Sequence, residues 1–488
     1  MKLSSLLSQS GLKPASLSLG DPEITAITAD SRAVQPGSLF VALPGTQQDG
    51  RAFIPGAIAA GAAAILVPEG TGPLENGVPV AITATPRRSL ALLAATLAGP
   101  QPEHIVAVTG TNGKTSTVDF LRQIWQGMGR TAASFGTLGL VSPVPLPVEV
   151  PSLTTPDPVT LARGLAALRE RGVTDVAMEA SSHGLDQRRL DGVRINAAGF
   201  TNLTRDHLDY HGSLESYRAA KLRLFDTLLP GGGLAVANAD MDEVTLAALR
   251  DLQRRRDLEL RLVGRKGTTI RLLAHKALPE GQRLRLEIGK KEMDVTLALP
   301  GRFQVDNALL AAALAGPDKA DMEAAIALLP TLHGVRGRME RAAILPNGAA
   351  VYVDYAHTPD ALARAIDSLR PHVKGRLLVL FGAGGDRDKG KRPLMAQEAA
   401  QRADMVFVTD DNPRSEDAQD IRQDVLAGAP EAIEIPDRRT AIAETMGRLA
   451  SGDVLLVAGK GHEQGQIIGE IVHPFDDVSV VKSFAGKA

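Results

Sequence analysis

The 488-residue sequence contains no cysteine. That absence excludes disulfide frameworks, thiolate zinc sites, iron–sulfur clusters and a cysteine nucleophile. It also suits a reducing compartment. Aromatics are scarce, at 11 Phe, 4 Tyr and 1 Trp, which argues against a base-stacking platform for single-stranded nucleic acid. Charge of one sign is missing too: 54 Lys and Arg stand against 56 Asp and Glu, for a formal charge of -2. No basic balance points to nucleic acid, and no acidic tail points to a charged partner. Long hydrophobic runs are absent. The most apolar segment, AIAAGAAAILVP, ends at Pro68 and is too short to span a bilayer. The opening MKLSSLLSQSGLKP is broken by serines and lacks the apolar core of a signal peptide. A soluble cytoplasmic protein is expected, with small-molecule substrates, no nucleic acid and no membrane span.

The length suits roughly three domains of about 150 residues each, and three blocks separate on pattern. Residues 1–97 carry short extended runs and a helix feeding a strand, the mark of a small α/β domain. Residues 98–332 open with HIVAVTGTNGKTS, where a β-branched run enters a glycine turn and then a helix with apolar residues three and four apart. The later runs VTDVAMEA, INAAGFTNL and LAVANAD are apolar nearly throughout, as buried parallel strands are. Residues 333–488 alternate strand and helix signals, which predicts a Rossmann-like open sheet with helices on both faces. The fold class expected is therefore α/β in three domains, the middle one a mostly parallel, P-loop-type sheet.

Gly110, Thr111, Asn112, Gly113, Lys114, Thr115 and Ser116 form a shortened phosphate loop, G-x-x-G-K-T. Backbone N–H groups in such a turn, with the helix that follows, make an anion cradle. Lys114 can reach the β- and γ-phosphates of ATP, and Thr115 offers a hydroxyl to Mg²⁺. The full motif would have glycine where Val108 stands. Two other clusters mislead. Gly382, Gly384 and Gly385 do not match dinucleotide spacing, and Asp318-Lys319-Ala320-Asp321 lacks the asparagine of a GTPase base-recognition tetrad. Glu179 ends an apolar strand, a good place for a Mg²⁺ carboxylate beside a phosphate loop. His207 and His211 are four apart, yet the zinc-protease glutamate between them is missing. Lys221 reads as an ordinary helical lysine.

GTNGKTS, TTPDP, MEASSHGLDQRR, TNLTRDHLDYHG with YRAAK, DNALLAAALA, GVRGRME, DYAHTPDAL, GGDRDKGKRP, DDNPR and AGKGHE follow one another in that order, spanning nearly the whole chain together with TADSR. In this the sequence resembles the Mur ligase family of peptidoglycan synthesis. The resemblance implies an ATP-dependent amide ligase that works through an acyl phosphate. It implies addition of meso-2,6-diaminopimelate to UDP-N-acetylmuramoyl-L-alanyl-D-glutamate in cytoplasmic cell-wall precursor synthesis; a monomer is expected, although the sequence itself does not give the oligomeric state. Thr115 and Glu179 would hold one Mg²⁺. His207 would help hold a second, with Lys221 carrying a CO₂-derived carbamate. Lys114, Lys221 and His207 would be the catalytic set, and Asn307, Arg338 and Asp354 would lie near the nucleotide.

For the nucleotide-sugar, the resemblance points to Ala29, Ser31, Thr46, Gln47 and Gln48 at the uridine end. Thr154, Thr155, Ser181, Gln187 and Arg189 would meet the muramoyl peptide. For the amino acid it points to Arg387, Asp411, Asn412, Pro413, Arg414, Gly459 and Glu463. Diaminopimelate has a second carboxylate at its far end, which Arg414 can take as a bidentate pair; lysine brings only an ammonium there, which Arg414 would repel. The blocks 1–97, 98–332 and 333–488 would then serve UDP-sugar, ATP and amino acid in turn. The rivals are a lysine-adding Mur ligase, a folylpolyglutamate synthase-like ligase, a P-loop motor or switch, and a silent UDP-sugar binder.

Overall fold

The structure, a computed structural model, describes residues 1–12, 20–45, 49–71, 77–148, 150–278 and 281–486. The chain forms two compact units: Met1–Val263 with Leu310–Ala325, and Gly264–Leu309 with Ile326–Ala488.

The first unit holds two sheets. In the smaller, β1 (Ala26–Thr28), β2 (Ser38–Val41), β3 (Ala62–Pro68) and β4 (Val80–Thr83) run parallel in sequence order. Side chains alternate between faces along a strand. Leu39, Val41 and Leu66 therefore meet Leu3, Leu6, Leu90 and Leu93 from two helices, while Phe40, Ile65 and Val67 meet Ile54 and Ala57 on the other side. The larger sheet contains β5 (His104–Thr109), β6 (Ala132–Gly136), β7 (Gly139–Val141), β8 (Asp175–Glu179), β9 (Ala197–Phe200), β10 (Leu234–Asn238) and β11 (Glu259–Gly264). Their order is 11-10-9-5-8-6-7, parallel throughout except for the β6–β7 pair. Helices on both faces keep these strands apolar. The helix Lys114–Gly127 buries Phe120, Leu121, Ile124 and Trp125, and the Trp125 indole N–H donates to the Ala315 carbonyl at 2.8 Å. Arg261 donates to the carbonyls of Ala313 at 3.0 Å, Gly316 at 2.8 Å and also Pro317. β5 lies between β9 and β8, so the chain departs to either side of it. Such a switch point opens a crevice at the strands' carboxyl ends.

The second unit begins with an antiparallel meander of β12 (Ile270–Leu278), β13 (Gly281–Ile288) and β14 (Lys291–Leu297). Leu284, Leu286 and Ile288 are buried and Arg283 and Arg285 exposed. This two-residue period is hidden from a search for apolar runs, because arginines interrupt it. The larger sheet of this unit has β15 (Glu340–Ile344), β16 (Ala350–Asp354), β17 (Leu377–Phe381), β18 (Met405–Val408), β19 (Ile433–Glu434) and β20 (Val454–Ala458) in the order 15-16-20-17-18-19. Only β15 is antiparallel. Cores on both faces confirm the open sheet expected from the alternating pattern. Arg438 and Asp477 form a bidentate pair at 2.8 and 2.7 Å with neither side chain exposed. Arg438 also donates to the Ala458 carbonyl at 2.9 Å, where β20 ends. The hairpin β21 (Gly465–Ile468) and β22 (Ile471–Pro474) follows. Among the described residues, no helix is long and apolar enough to cross a membrane.

Candidate active site

Gly110 follows β5 with φ 143°, and a Cβ there would stand 1.8 Å from Thr201 Oγ1. Gly113 has φ 86° at the last position before the helix. Only glycine meets both demands. The segment after β9 braces the loop. Thr111 N–H donates to the Asn202 carbonyl at 2.8 Å, Asn112 N–H to Asn202 Oδ1 at 3.0 Å, and Thr201 Oγ1 to the Asn112 carbonyl at 2.6 Å. Thr115 is half-buried on the first helical turn and Ser116 is buried. The open N–H groups of that turn and the helix dipole favour an anion.

Lys114 folds back over the loop and donates to the carbonyls of Gly110 and Thr111, both at 2.9 Å. Lys221, from the helix Leu214–Arg223, donates to the same Gly110 carbonyl at 2.7 Å. Two lysines thus converge on one oxygen. Lys221 is only 1% exposed and lies 4.4 Å from the Tyr217 ring centroid. Burial pushes its pKa well below the lysine range; the Lys114 charge adds to this and Asp206 opposes it. Tyr217 donates from its hydroxyl to Thr111 Oγ1 at 3.3 Å, and burial pushes that phenol up to about 12.

Glu179 is buried at the end of β8. Its Oε1 accepts the Thr137 N–H at 2.7 Å. A Cβ on Gly136 would lie 2.1 Å from that oxygen, so the carboxylate occupies space that glycine leaves open. Thr137 Oγ1 pairs with Thr154 Oγ1 at 3.0 Å. Thr155 Oγ1 donates to the Glu179 carbonyl and accepts the Ser181 N–H, each at 3.0 Å. Arg189 donates to the Thr155 carbonyl at 2.7 Å and to Gln187 Oε1 at 2.8 Å. The structure therefore gathers Thr154, Thr155, Ser181, Gln187 and Arg189 into one web around Glu179. Ala29 and Ser31 follow β1, where Asp30 accepts the Arg32 N–H at 3.0 Å. Thr46, Gln47 and Gln48 lie outside the described residues.

His207 has φ 51° and precedes a single turn, Leu208–His211. Its ring lies 4.9 Å from His183, and His183 lies 5.4 Å from His211. Among the described residues, no group of three or more His, Asp or Glu is placed to hold a metal. By chemistry alone, Thr115, Glu179 and His207 are donors of a kind that Mg²⁺ accepts. They are oxygen and imidazole groups, few in number, and Mg²⁺ keeps several waters and binds substrate phosphates as well.

The second unit carries its own cluster. Asp354 ends β16 and accepts the N–H groups of Met339 at 2.7 Å and Ala356 at 2.8 Å. Burial raises its pKa, against the attraction of Arg338. Arg338 lies 4.5 Å from the Tyr355 ring centroid, and its buried Nε has no hydrogen-bond partner among the described residues. Asn307 is buried and donates to Gln304 Oε1 at 3.2 Å. Asp411, Asn412 and Pro413 are buried just past β18. Arg414 holds φ 53°, donates from its side chain to the Gly385 carbonyl at 2.8 Å, and uses its N–H on the Ile467 carbonyl at 3.1 Å. A left-handed arginine is uncommon and marks a constrained loop. Arg387 is exposed. Asn412 Nδ2 donates to Glu463 Oε2 at 2.9 Å.

Thr137, His183, Tyr217, Lys460 and His462 escape the sequence reading. Lys460 and His462 stand inside the AGKGHE motif and His183 inside SSHGL, so motif membership was the available signal. His462 packs 5.0 Å from Tyr355, and burial followed by the Arg338 charge pushes its pKa down to about 4.

The geometry can be set beside known proteins. Three family models match: the Mur ligase family, catalytic domain, over residues 23–99, the Mur ligase middle domain over 108–315, and the Mur ligase, glutamate ligase domain over 337–461. The UDP-N-acetylmuramoyl-L-alanyl-D-glutamate–2,6-diaminopimelate ligase of Caulobacter vibrioides is 53% identical over 94% of this chain and 95% of its own. Its counterpart of the same name in Bradyrhizobium diazoefficiens is 50% identical over 99% and 98%. A solved structure of a ligase with that name shares 33% identity at a TM-score of 0.73, covering 100% of this chain and 99% of the other. A Mycobacterium tuberculosis folylpolyglutamate synthase shares the fold alone, at 19% identity and a TM-score of 0.57 over 76% and 92%. With family models along most of its length and relatives about half identical nearly end to end, this chain belongs to the Mur ligase family.

Proposed function

We propose that this chain is an ATP-dependent ligase that joins meso-2,6-diaminopimelate to the D-glutamate carboxylate of UDP-N-acetylmuramoyl-L-alanyl-D-glutamate. The observation that carries the reading is the convergence of Lys114 and Lys221 on the Gly110 carbonyl, in a chain about half identical to ligases of that name. A carboxylate is a poor electrophile, so its oxygen first attacks the γ-phosphorus of ATP and ADP leaves. The amine then attacks the acyl phosphate, loses a proton and expels phosphate. Positioning and charge neutralisation do most of this work.

Lys114 neutralises phosphate charge once it leaves the loop carbonyls, and the loop N–H groups hold the phosphates. Thr115 and Glu179 would hold one Mg²⁺, and His207 with a carbamylated Lys221 a second. Bound Mg²⁺ supplies further charge neutralisation for phosphoryl transfer. Only an unprotonated amine attacks CO₂, and the lowered pKa of Lys221 favours that form. Carbamylation would replace that neutral amine with an anion beside Lys114.

Thr154, Thr155, Ser181, Gln187 and Arg189 are assigned to the muramoyl peptide, with Ala29, Ser31 and residues 46–48 at the uridine end. Asn307, Arg338 and Asp354 are assigned to the nucleotide. Arg387, residues 411–414, Gly459 and Glu463 are assigned to diaminopimelate. Blocks 1–97, 98–332 and 333–488 then serve the three substrates in turn. The need for ATP supports a cytoplasmic setting.

The test is phosphate release from ATP–Mg²⁺ and the UDP-muramoyl dipeptide, with meso-diaminopimelate, lysine, glutamate or no amine. Release should require the amine and favour diaminopimelate. Equal release without an amine would refute the reading.

A further inference from the structure

Lys460 has no exposed surface, yet the reaction as derived above gives it no task. Its neighbours Gly459 and Gly461 have φ 112° and 54°. A Cβ on Gly459 would stand 2.7 Å from Asp411 Oδ2, and one on Gly461 would stand 2.6 Å from Tyr355 Cβ. A side chain at either position would force its neighbours to shift, so the backbone lies close against its surroundings on both sides of the lysine. The Lys460 ammonium donates to Asn412 Oδ1 at 2.8 Å and to Glu463 Oε2 at 3.3 Å. Asp411 Oδ1 lies 3.9 Å away. Asn412 closes the triangle, since its amide N–H donates to the same Glu463 oxygen at 2.9 Å, and its Oδ1 also takes the Ile467 N–H at 2.9 Å.

Burying an ammonium is costly and is tolerated only with partners. Here the partners are three residues expected to touch the amino acid. Glu463 Oε2 is occupied twice, while Oε1 accepts no hydrogen bond among the described residues. We infer that Lys460 is a positioning residue that sets amino-acid selectivity by holding Glu463 and Asn412 and by withholding part of the Glu463 charge. The inference rests on the ligase reading above.

The charge count shows how such selectivity would arise. Among the residues assigned to the amino acid, Arg387 and Arg414, joined by Lys460, bring three positive charges against two from Asp411 and Glu463. A substrate whose far end carries only an ammonium adds a fourth cation. A far end with both ammonium and carboxylate adds no net charge and satisfies Glu463 Oε1 and Arg414 together. Attraction and exclusion then come from one arrangement.

The experiment compares wild type with Lys460→Met, which keeps length and removes charge, and Lys460→Arg, which keeps charge. The kcat and KM are measured for diaminopimelate, lysine and ATP. Wild type unable to use diaminopimelate would sink the ligase reading itself, before any variant is considered. With wild type active, Lys460→Met should raise the diaminopimelate KM roughly 10- to 100-fold. It should cut the diaminopimelate-over-lysine ratio of kcat/KM by about tenfold or more and leave the ATP KM within about twofold. Lys460→Arg should recover part of the ratio. An unchanged ratio, or parallel losses for all substrates, would overturn the inference in favour of a purely structural lysine. If Lys460→Met fails to fold, Lys460→Gln, which retains an N–H for Asn412, is read by the same ratio.

Discussion

Lys221 and Lys460 are both buried lysines in glycine-shaped surroundings, one in each compact unit, and they differ in company. Lys460 has a carboxylate, an amide and a second carboxylate nearby. Lys221 has one carbonyl and a tyrosine face, with Lys114 on the same oxygen. The amide and carboxylate partners of Lys460 hold its geometry. At Lys221 burial and the Lys114 charge outweigh the opposing pull of Asp206 and favour the neutral amine, a form suited to covalent modification. The same residue type is thus held by different company in the two units, which is what lets the proposed roles differ.

The comparison is broken most severely through Lys114→Ala. If the phosphate-loop cations act on phosphate, kcat should fall by about 10²- to 10³-fold or more, while thermal unfolding moves little. Retained activity would leave that region without a chemical role.

Lys221→Ala should also abolish most activity, with partial recovery when small carboxylates such as acetate are added. Full activity without rescue would remove Lys221 from the mechanism. A stability measurement sharpens the same point. In CO₂-depleted buffer the folded state sheds the Lys221 proton that the unfolded chain keeps up to the ordinary lysine value of 10.5. Wild-type stability should therefore carry a rising component toward that pH, of at most about 1.4 kcal/mol per pH unit. Lys221→Met should lack it, as denaturant unfolding between roughly pH 8 and 10.5 would show.

Arg414→Ala tests the second unit. The diaminopimelate KM should rise roughly 10- to 100-fold, and discrimination against lysine should narrow. Unchanged discrimination would defeat the specificity argument. The smallest effect is expected of Gly459→Ala, which forces a Cβ toward Asp411 Oδ2 at φ 112°. It should cost about 1–3 kcal/mol of stability and raise the diaminopimelate KM more than that of ATP.

Much of the first unit's site is legible in sequence because its logic is local. An apolar strand, two glycines, a lysine and a threonine must sit in a row to make the loop. Glu179 is likewise readable as the end of an apolar run. Lys221 is not, since a helical lysine looks the same wherever its tip goes, and only resemblance pointed to it. Tyr217 meets Thr111 across 106 residues and Lys460 meets Asn412 across 48; no spacing rule records such pairs. The meander β12–β14 was hidden for a different reason, its charged residues masking a strand period.

One feature of chain order bears on how the molecule is made. Val263 ends the first stretch of the first unit, and that unit resumes only at Leu310. The Trp125 indole N–H waits for the Ala315 carbonyl, and Arg261 waits for carbonyls at Ala313 and Gly316. During synthesis these donors are complete long before their acceptors leave the ribosome. Until then, a buried indole and guanidinium must stay hydrated or unsatisfied. The first unit therefore closes late, and a chain stopped after Val263 would present an unlatched core to chaperones and proteases.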